Sequence, residues 1–174
     1  AMSASPIVDA DLEPAGTPIV AGLPMPTFKR IGVEPISGAC GCEISGVDLR
    51  RPLDEETLAE VMKAFDQFLV IVFRDQDLTP EQHKAFSRYF GEITELPQAP
   101  TYGGHQDMQE VRREAYEPEN VVPSFEHFHT DSPFLPQPPK CIVMRALEVP
   151  QWGGDTAFSN AHLVYEHLSD GMKA

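Results

Sequence analysis

The residues best placed to do chemistry lie close together in the stretch His127-Phe-His129-Thr-Asp131. Side chains two positions apart on an extended strand point to the same face and lie about 6.6 Å apart along it, so neighbouring members can converge on one metal ion. The outer two lie about 13 Å apart, too far for both to reach ligand distances near 2 Å. Two candidate pairs remain: His127 with His129, and His129 with Asp131.

The two pairs predict different chemistry. A cupin-like site built on His127 and His129 needs a later Glu, and the next one along the chain is Glu148. His129 with Asp131 supplies an imidazole and a hard carboxylate, the beginning of the two-His-one-carboxylate triad that leaves a face of Fe(II) open for oxygen chemistry. Spacing alone favours His129 with Asp131 over the cupin-like pair. It leaves open a surface histidine beside a carboxylate, and predicts a solvated or supporting role for His127.

Composition excludes several classes of function. The chain of 174 residues carries a formal net charge of −14, the wrong sign for neutralising the phosphates of nucleic acid or an anionic membrane. Its longest apolar run is the six residues 68–73, whereas a membrane-spanning helix needs about 20. No secretory signal precedes the fold, so we expect a cytoplasmic protein. The cysteines, Cys40, Cys42 and Cys141, are too few for a disulfide framework and are expected to be reduced thiols.

The elements that must position the candidate site follow from periodicity. Residues 1–27 are proline-rich and predict a flexible arm, whereas residues 28–174 predict a compact α+β domain. Asp54 is expected to cap one helix, and Thr79 with Gln82 to form a capping box at the start of a second. Residues 97–124 predict a loop over the site. The predicted strands are 31–36, 43–49, 68–73, 125–130, 141–147 and 156–159, and a last helix is expected to begin at Asn160.

Several motifs in register resemble one protein family. They are His129-Thr-Asp131-Ser-Pro-Phe134, Pro138-Pro139, Gly153-Gly-Asp-Thr156, Ile44-Ser-Gly-Val-Asp48, Arg51-Pro-Leu53, Val72-Phe-Arg-Asp-Gln76, Leu78-Thr-Pro80 and Phe90-Gly-Glu92. Their order and approximate spacing are similar to those of the taurine dioxygenase (TauD/TfdA) family of Fe(II)- and 2-oxoglutarate-dependent oxygenases. The resemblance extends from about Phe28 to Ala174.

The resemblance implies a fold and a reaction. The fold is a mainly β, double-stranded β-helix (jelly roll) with flanking helices, in which His129 and Asp131 are the catalytic Fe(II) ligands. The family's Gly-Gly-Asp-Thr motif implies that the Thr156 hydroxyl binds the distal carboxylate of 2-oxoglutarate. The expected partners are 2-oxoglutarate, O2 and a small organic substrate, with succinate and CO2 as co-products and a homo-oligomer as a possible assembly.

The sequence departs from the family pattern in the metal site. The family's third iron ligand is a distant histidine followed by an arginine that pairs with 2-oxoglutarate, and the chain ends before both. His162 and His167 fall in the predicted last helix and are expected to be solvated. We therefore expect a longer polypeptide to complete the site and the jelly roll. The alternative is a catalytically silent binding or assembly module.

The sequence also departs at the positions that bind taurine in taurine-specific members. Those members carry His, Tyr and Asn where this chain has Leu96, Ala99 and Phe125. These three side chains cannot donate hydrogen bonds to a sulfonate. We therefore expect Leu96 and Phe125 to contact a more apolar substrate, such as an aryl- or alkyl-bearing acid.

Overall fold

A computed structural model describes residues 26–94, 101–111 and 127–174 of the chain. Most of the arm predicted over residues 1–27 therefore lies outside the described residues. The chain divides into two compact units, one containing the residues up to Leu78 together with Gly153–Ala174, the other Thr79–Trp152. In chain order the elements are β1 (Gly32–Pro35), β2 (Cys42–Ser45), α1 (Glu55–Phe68), β3 (Ile71–Phe73), α2 (Pro80–Ser87), β4 (Thr101–Tyr102), β5 (His105–Gln109), α3 (Ala161–Glu166) and α4 (Asp170–Lys173).

The first unit contains a three-stranded sheet in the order β1-β2-β3. β1 and β2 are antiparallel, with Val33 opposite Ile44, and β2 and β3 are parallel, with Cys42 opposite Ile71. A parallel pair cannot be joined by a tight turn, so the chain needs a crossover between β2 and β3. Helix α1 lies on that crossover.

Helix α1 supplies one side of the core of this unit. It begins where predicted, because the Asp54 carboxylate accepts a hydrogen bond of 2.9 Å from the Thr57 backbone N–H. Val61, Ala64 and Phe68 recur at helical spacing and are fully buried. Burying Phe68 alone contributes about 2 kcal/mol. They pack in one cluster with Ile31, Cys42 and Ile44 from the strand side.

The strand predicted over residues 68–73 is shorter than expected. The helix continues to Phe68, and the strand begins at Ile71. Phe68 completes the apolar face of α1, so an uninterrupted apolar run spans the end of one element and the start of the next. Leu69 ends the helix in a left-handed conformation, with φ of 66°. An apolar run does not mark a boundary when both flanking elements are buried.

One carboxylate anchors the entry to this unit. Glu60 of α1 accepts hydrogen bonds from the backbone N–H groups of Lys29, Arg30 and Ile31, the shortest being 2.8 Å. These bonds, above all the one from Lys29, lower the pKa of the Glu60 carboxyl. The segment before β1 is thereby fixed to the middle of α1.

The second unit begins with α2 and its predicted capping box. Thr79 Oγ1 accepts from the Gln82 backbone N–H at 3.3 Å, and Gln82 Oε1 accepts from the Thr79 N–H at 2.8 Å. Phe86 is the buried residue of this helix. It contacts Tyr89 and Phe90 edge to face, with ring centroids 6.2 and 5.5 Å away.

The prediction of a loop over residues 97–124 is wrong for residues 101–109, which the structure describes. Residues 101–109 form an antiparallel hairpin of β4 and β5. Gly103 and Gly104 have φ of 55° and 83°, the left-handed pair that a two-residue hairpin turn requires. The two glycines carried this signal in the sequence, but the flanking residues lack the apolar alternation of a buried strand.

Among the residues that the structure describes, the later predicted strands are wrong. Residues 127–130, 141–147 and 156–159 have no strand pairing. Over 141–147 half-buried side chains alternate with exposed ones, and Ile142 and Met144 are 53% and 65% exposed. The alternation typical of a strand is present, but a strand also requires a neighbour to take its backbone hydrogen bonds. The α+β class is confirmed, and the jelly roll stays a prediction.

The last helical segment begins where predicted. Asn160 is buried; its Oδ1 accepts from the Leu163 backbone N–H at 3.1 Å, and its Nδ2 donates to the Ala39 carbonyl at 2.7 Å. Asn160 thus caps α3 and joins it to the loop between β1 and β2. No helix among the described residues has the length and apolar character needed to cross a membrane.

Candidate active site

The ring of His129 is oriented by a backbone group. Its Nδ1 lies 2.6 Å from the carbonyl oxygen of His127. Because a carbonyl oxygen accepts and never donates, the proton of this hydrogen bond must be on Nδ1. The lone pair available to a metal is then on Nε2, the arrangement that a carbonyl partner imposes on metal-binding histidines.

Asp131 faces that same nitrogen. Its Oδ1 lies 3.2 Å from His129 Nε2, with the two side chains 42% and 47% exposed. Two ligands bound at about 2.1 Å and at right angles on one ion would lie about 3.0 Å apart. The donor atoms and their separation fit adjacent positions on a divalent ion such as Fe(II). The structure therefore brings together the two side chains of the predicted pair, His129 and Asp131.

His127 contributes its backbone rather than its ring to this arrangement. Its backbone carbonyl accepts a hydrogen bond from His129 Nδ1, while its own side chain is exposed. A cupin-like pair of His127 with His129 gains no support from these contacts.

Immediately after Asp131 the chain turns at Ser132, which has φ of 50° and whose carbonyl accepts from the Leu135 N–H at 3.2 Å. Left-handed backbone costs about 1 kcal/mol for a residue with a Cβ.

A third protein ligand is not found within the part of the chain that the structure describes. No group of three or more His, Cys, Asp or Glu side chains gathers there in a metal-binding arrangement. His162 is exposed on α3, and His167 Nδ1 bonds to the Leu163 carbonyl at 2.7 Å. Both behave as the solvated helix histidines that the sequence predicts.

The structure leaves the roles of the other predicted site residues, Thr156, Leu96 and Phe125, as predictions. Thr156 is exposed in the first unit and follows Gly153 and Gly154, which have positive φ values of 76° and 74°. Its role toward 2-oxoglutarate stays a prediction. Leu96 and Phe125 lie outside the described residues, so their proposed contact with substrate also stays a prediction.

A polar cluster that the sequence analysis missed lies between α2 and β5. The Lys84 ammonium donates to Asp107 Oδ1 at 2.9 Å and to His105 Nδ1 at 3.2 Å. Lys84 and Asp107 are 16% and 23% exposed. The hydrogen bond from Lys84 lowers the pKa of the Asp107 carboxyl. The available signal was His105-Gln-Asp107, which repeats the spacing of His129-Thr-Asp131.

The neighbouring residue of α2 contacts a different segment. His83 Nε2 lies 3.0 Å from the carbonyl oxygen of Val143, so this nitrogen carries the proton. Its Nδ1 is buried without a hydrogen-bond partner. Burial lowers the pKa of His83 by more than the hydrogen bond to the Val143 carbonyl raises it, and the positive charge of Arg145 also lowers it, so the neutral ring is favoured. His83 therefore fixes the segment around Val143 to α2.

Comparison with known proteins identifies the family to which the chain is similar. A family model described as taurine catabolism dioxygenase TauD, TfdA family, matches residues 32–174. The chain is 28% identical to an α-ketoglutarate-dependent sulfate ester dioxygenase of Pseudomonas putida, over 85% of this chain and 48% of that protein. It is 29% identical to an (S)-phenoxypropionate/α-ketoglutarate dioxygenase of Sphingobium herbicidovorans, over 82% and 49%.

A third relative and one solved structure complete the comparison. Pentalenolactone F synthase of Streptomyces arenae is 32% identical over 79% of this chain and 48% of that protein. A crystal structure of a taurine dioxygenase from Burkholderia xenovorans matches 45% of this chain and 28% of that chain, with 42% identity and a TM-score of 0.42. The chain thus spans about half the length of the curated relatives it matches.

Proposed function

This chain belongs to the TauD/TfdA family, and from that premise we propose that the full-length protein is an Fe(II)- and 2-oxoglutarate-dependent dioxygenase. The family resemblance inferred from the sequence motifs is confirmed, and Fe(II) and 2-oxoglutarate are the cofactor and co-substrate of this family. In the proposed reaction a substrate C–H bond, O2 and 2-oxoglutarate give C–OH, succinate and CO2. One oxygen atom enters the hydroxyl group and the other enters succinate.

The observation that supports the proposal most directly is the pairing of His129 Nε2 with Asp131 Oδ1 at 3.2 Å. A neutral imidazole and a carboxylate are the protein donors of an iron site that keeps positions open for exogenous ligands. When bound, Fe(II) supplies the activation of O2 that protein side chains cannot perform. His129 and Asp131 would hold the ion, and the His127 carbonyl would keep Nε2 directed at it.

Thr156 is proposed to hold the far carboxylate of 2-oxoglutarate through its hydroxyl. The Thr156 residue is exposed on its unit, where an anionic co-substrate can reach it. A hydroxyl donor to a carboxylate makes a charge-assisted hydrogen bond, which is stronger than a neutral one. The strongly negative net charge makes such local donors necessary for binding a dianion.

The primary substrate is proposed to be a small organic acid or ester with an aryl or alkyl group, rather than taurine. The apolar side chains of Leu96 and Phe125 replace hydrogen-bonding residues of taurine-specific members. Relatives named for sulfate esters and for (S)-phenoxypropionate support this class. A substrate panel that contains taurine, an alkyl sulfate ester and an aryloxy acid tests it. Taurine as the preferred substrate would contradict this part of the proposal.

The decisive experiment is an anaerobic titration of the full-length protein with Fe(II) and 2-oxoglutarate. The chelate of the two gives a charge-transfer absorption, which we expect in the wild type and not in His129→Ala. His162→Ala removes an exposed helix histidine and should retain the band. Absence of the band from the folded wild-type protein would overturn the enzyme proposal in favour of a silent binding or assembly module.

Thr156 has its own test. Thr156→Val removes the hydroxyl with little change in volume and should raise the KM for 2-oxoglutarate about tenfold, which corresponds to about 1.4 kcal/mol. The KM for the primary substrate should change much less. Ser159→Ala removes a nearby exposed hydroxyl and serves as the matched control. An unchanged KM for 2-oxoglutarate in Thr156→Val would remove Thr156 from the proposed site.

A further inference from the structure

The described chain contains a second His-x-Asp pair that already holds a cation. His105 and Asp107 lie two positions apart on β5 and converge on the ammonium of Lys84. The ammonium has three protons and no lone pair, so His105 Nδ1 must be the acceptor of its hydrogen bond. The proton of the neutral His105 ring is then on Nε2, the atom that lies 4.0 Å from Glu81 Oε1.

The ammonium occupies the position that a metal ion would need. A divalent ion shared by His105 and Asp107 would bind the same two atoms, Nδ1 and Oδ1, that Lys84 now contacts. The three side chains are 16%, 29% and 23% exposed for Lys84, His105 and Asp107. To admit the ion, Lys84 would have to break two hydrogen bonds and withdraw its charge from a shielded position.

We propose that Lys84 is a fixed cation that keeps divalent metal out of the His105–Asp107 pair, so that ferrous ion is directed to His129 and Asp131. This inference rests on the proposed function for its iron site at His129 and Asp131, and it does not depend on which substrate the protein oxidises. The geometry supports it, because the Asp107 carboxylate that now pairs with Lys84 at 2.9 Å would be a competent metal ligand once Lys84 is removed.

The test uses the full-length protein and Mn²⁺ as a paramagnetic probe, with histidine ring resonances followed by NMR. In the wild type we expect Mn²⁺ to broaden the resonances of His129 and to spare those of His105. In Lys84→Met, which keeps much of the side-chain volume, the His105 resonances should broaden as well. The Mn²⁺ concentration for half-maximal broadening of His105 should fall at least about tenfold, equivalent to about 1.4 kcal/mol.

Three variants separate metal exclusion from a purely structural role. Lys84→Arg keeps a positive charge at the pair and should leave His105 unbroadened. Lys63→Met removes the same charge from an exposed position on α1 and should also leave His105 unchanged. The double variant K84M/D107N lacks the carboxylate and should lose the new broadening. Repeating K84M with Asp131→Ala shows that the signal is independent of the proposed iron site.

Two results would overturn the proposal. The first is a folded K84M protein whose His105 resonances respond to Mn²⁺ no more than those of the wild type. The second is a wild type in which His105 broadens as readily as His129. If K84M is too unstable for NMR, its Tm should rise with added Mn²⁺ more than the Tm of K84M/D107N, because an ion bound to the folded state stabilises it. Equal shifts in the two variants would also overturn the proposal.

Discussion

Two His-x-Asp pairs with the same spacing have been put to different use in this chain. At His129 and Asp131 the imidazole donates through Nδ1 to a carbonyl and turns Nε2 toward the carboxylate. At His105 and Asp107 the imidazole accepts a lysine hydrogen bond at Nδ1, so its proton is on Nε2. The Nδ1 atoms of the two histidines therefore have opposite roles, a hydrogen-bond donor in His129 and an acceptor in His105. Spacing brings the two side chains of each pair together, while neighbouring groups decide which imidazole nitrogen is available to a metal.

The largest expected effect is a difference in Fe(II) binding between variants of Asp131 and Asp107. Asp131→Ala should weaken Fe(II) binding more than about 100-fold, beyond the 10–100-fold range typical of residues that only support a ligand. Asp107→Asn should leave Fe(II) affinity unchanged and lower the Tm, because Lys84 loses its charged partner. Anaerobic Fe(II) titration and thermal unfolding of both variants measure the two effects. Equal losses of iron affinity would abolish the distinction between the pairs.

A second prediction concerns acid stability at the lysine-filled pair. Asp107 has a pKa below its ordinary value of 3.8, chiefly because of the Lys84 hydrogen bond. A lowered folded-state pKa adds stability that is complete above the unfolded-state value and is lost as the pH falls through the folded-state value. Between wild type and Asp107→Asn, the difference in unfolding midpoint should therefore shrink below about pH 4. Urea unfolding at pH 3 to 6 measures it, and a difference that grows toward low pH contradicts it.

A third, smaller effect tests the neighbour of Lys84 on α2. Burial lowers the pKa of His83 from 6.5, so the stability it adds is complete above pH 6.5 and is lost as the pH falls. The slope cannot exceed about 1.4 kcal/mol per pH unit for one proton. His83→Gln keeps a donor for the Val143 carbonyl and should flatten the dependence between pH 5 and 7. Parallel curves for the two proteins would show that His83 does not titrate with unfolding.

The smallest effect is expected at His127. Because its carbonyl rather than its ring contacts His129, His127→Ala should change Fe(II) affinity by no more than about twofold, equivalent to the ~0.5 kcal/mol typical of exposed substitutions. The same anaerobic titration measures it. A loss as large as that of Asp131→Ala would instead favour the cupin-like pair of His127 with His129.

The elements with strong local signals were predictable from the sequence. Asp54, Thr79 with Gln82, and Asn160 each begin a helix where their side chains can accept a backbone N–H, because a cap acts within three residues of itself. The boundary at Phe68 was missed because one apolar run serves both a helix and a strand. The strand predicted over residues 141–147 is wrong. Alternation of half-buried and exposed side chains indicates the two faces of a strand, but it does not show that a neighbouring strand is present to form hydrogen bonds.

Residue types and spacing were enough to identify the family motifs and the His129 and Asp131 pair, whereas the same spacing at His105 and Asp107 was overlooked. Tertiary structure decided their difference, because Lys84 reaches His105 and Asp107 across 21 and 23 positions of the chain. It also placed a proton on Nδ1 of His129, through the His127 carbonyl two residues away. Hydrogen bonds are directional, and a metal ligand needs a free lone pair. Residue types and spacing therefore predict candidate ligands, and the groups around them in the fold decide whether they can bind a metal.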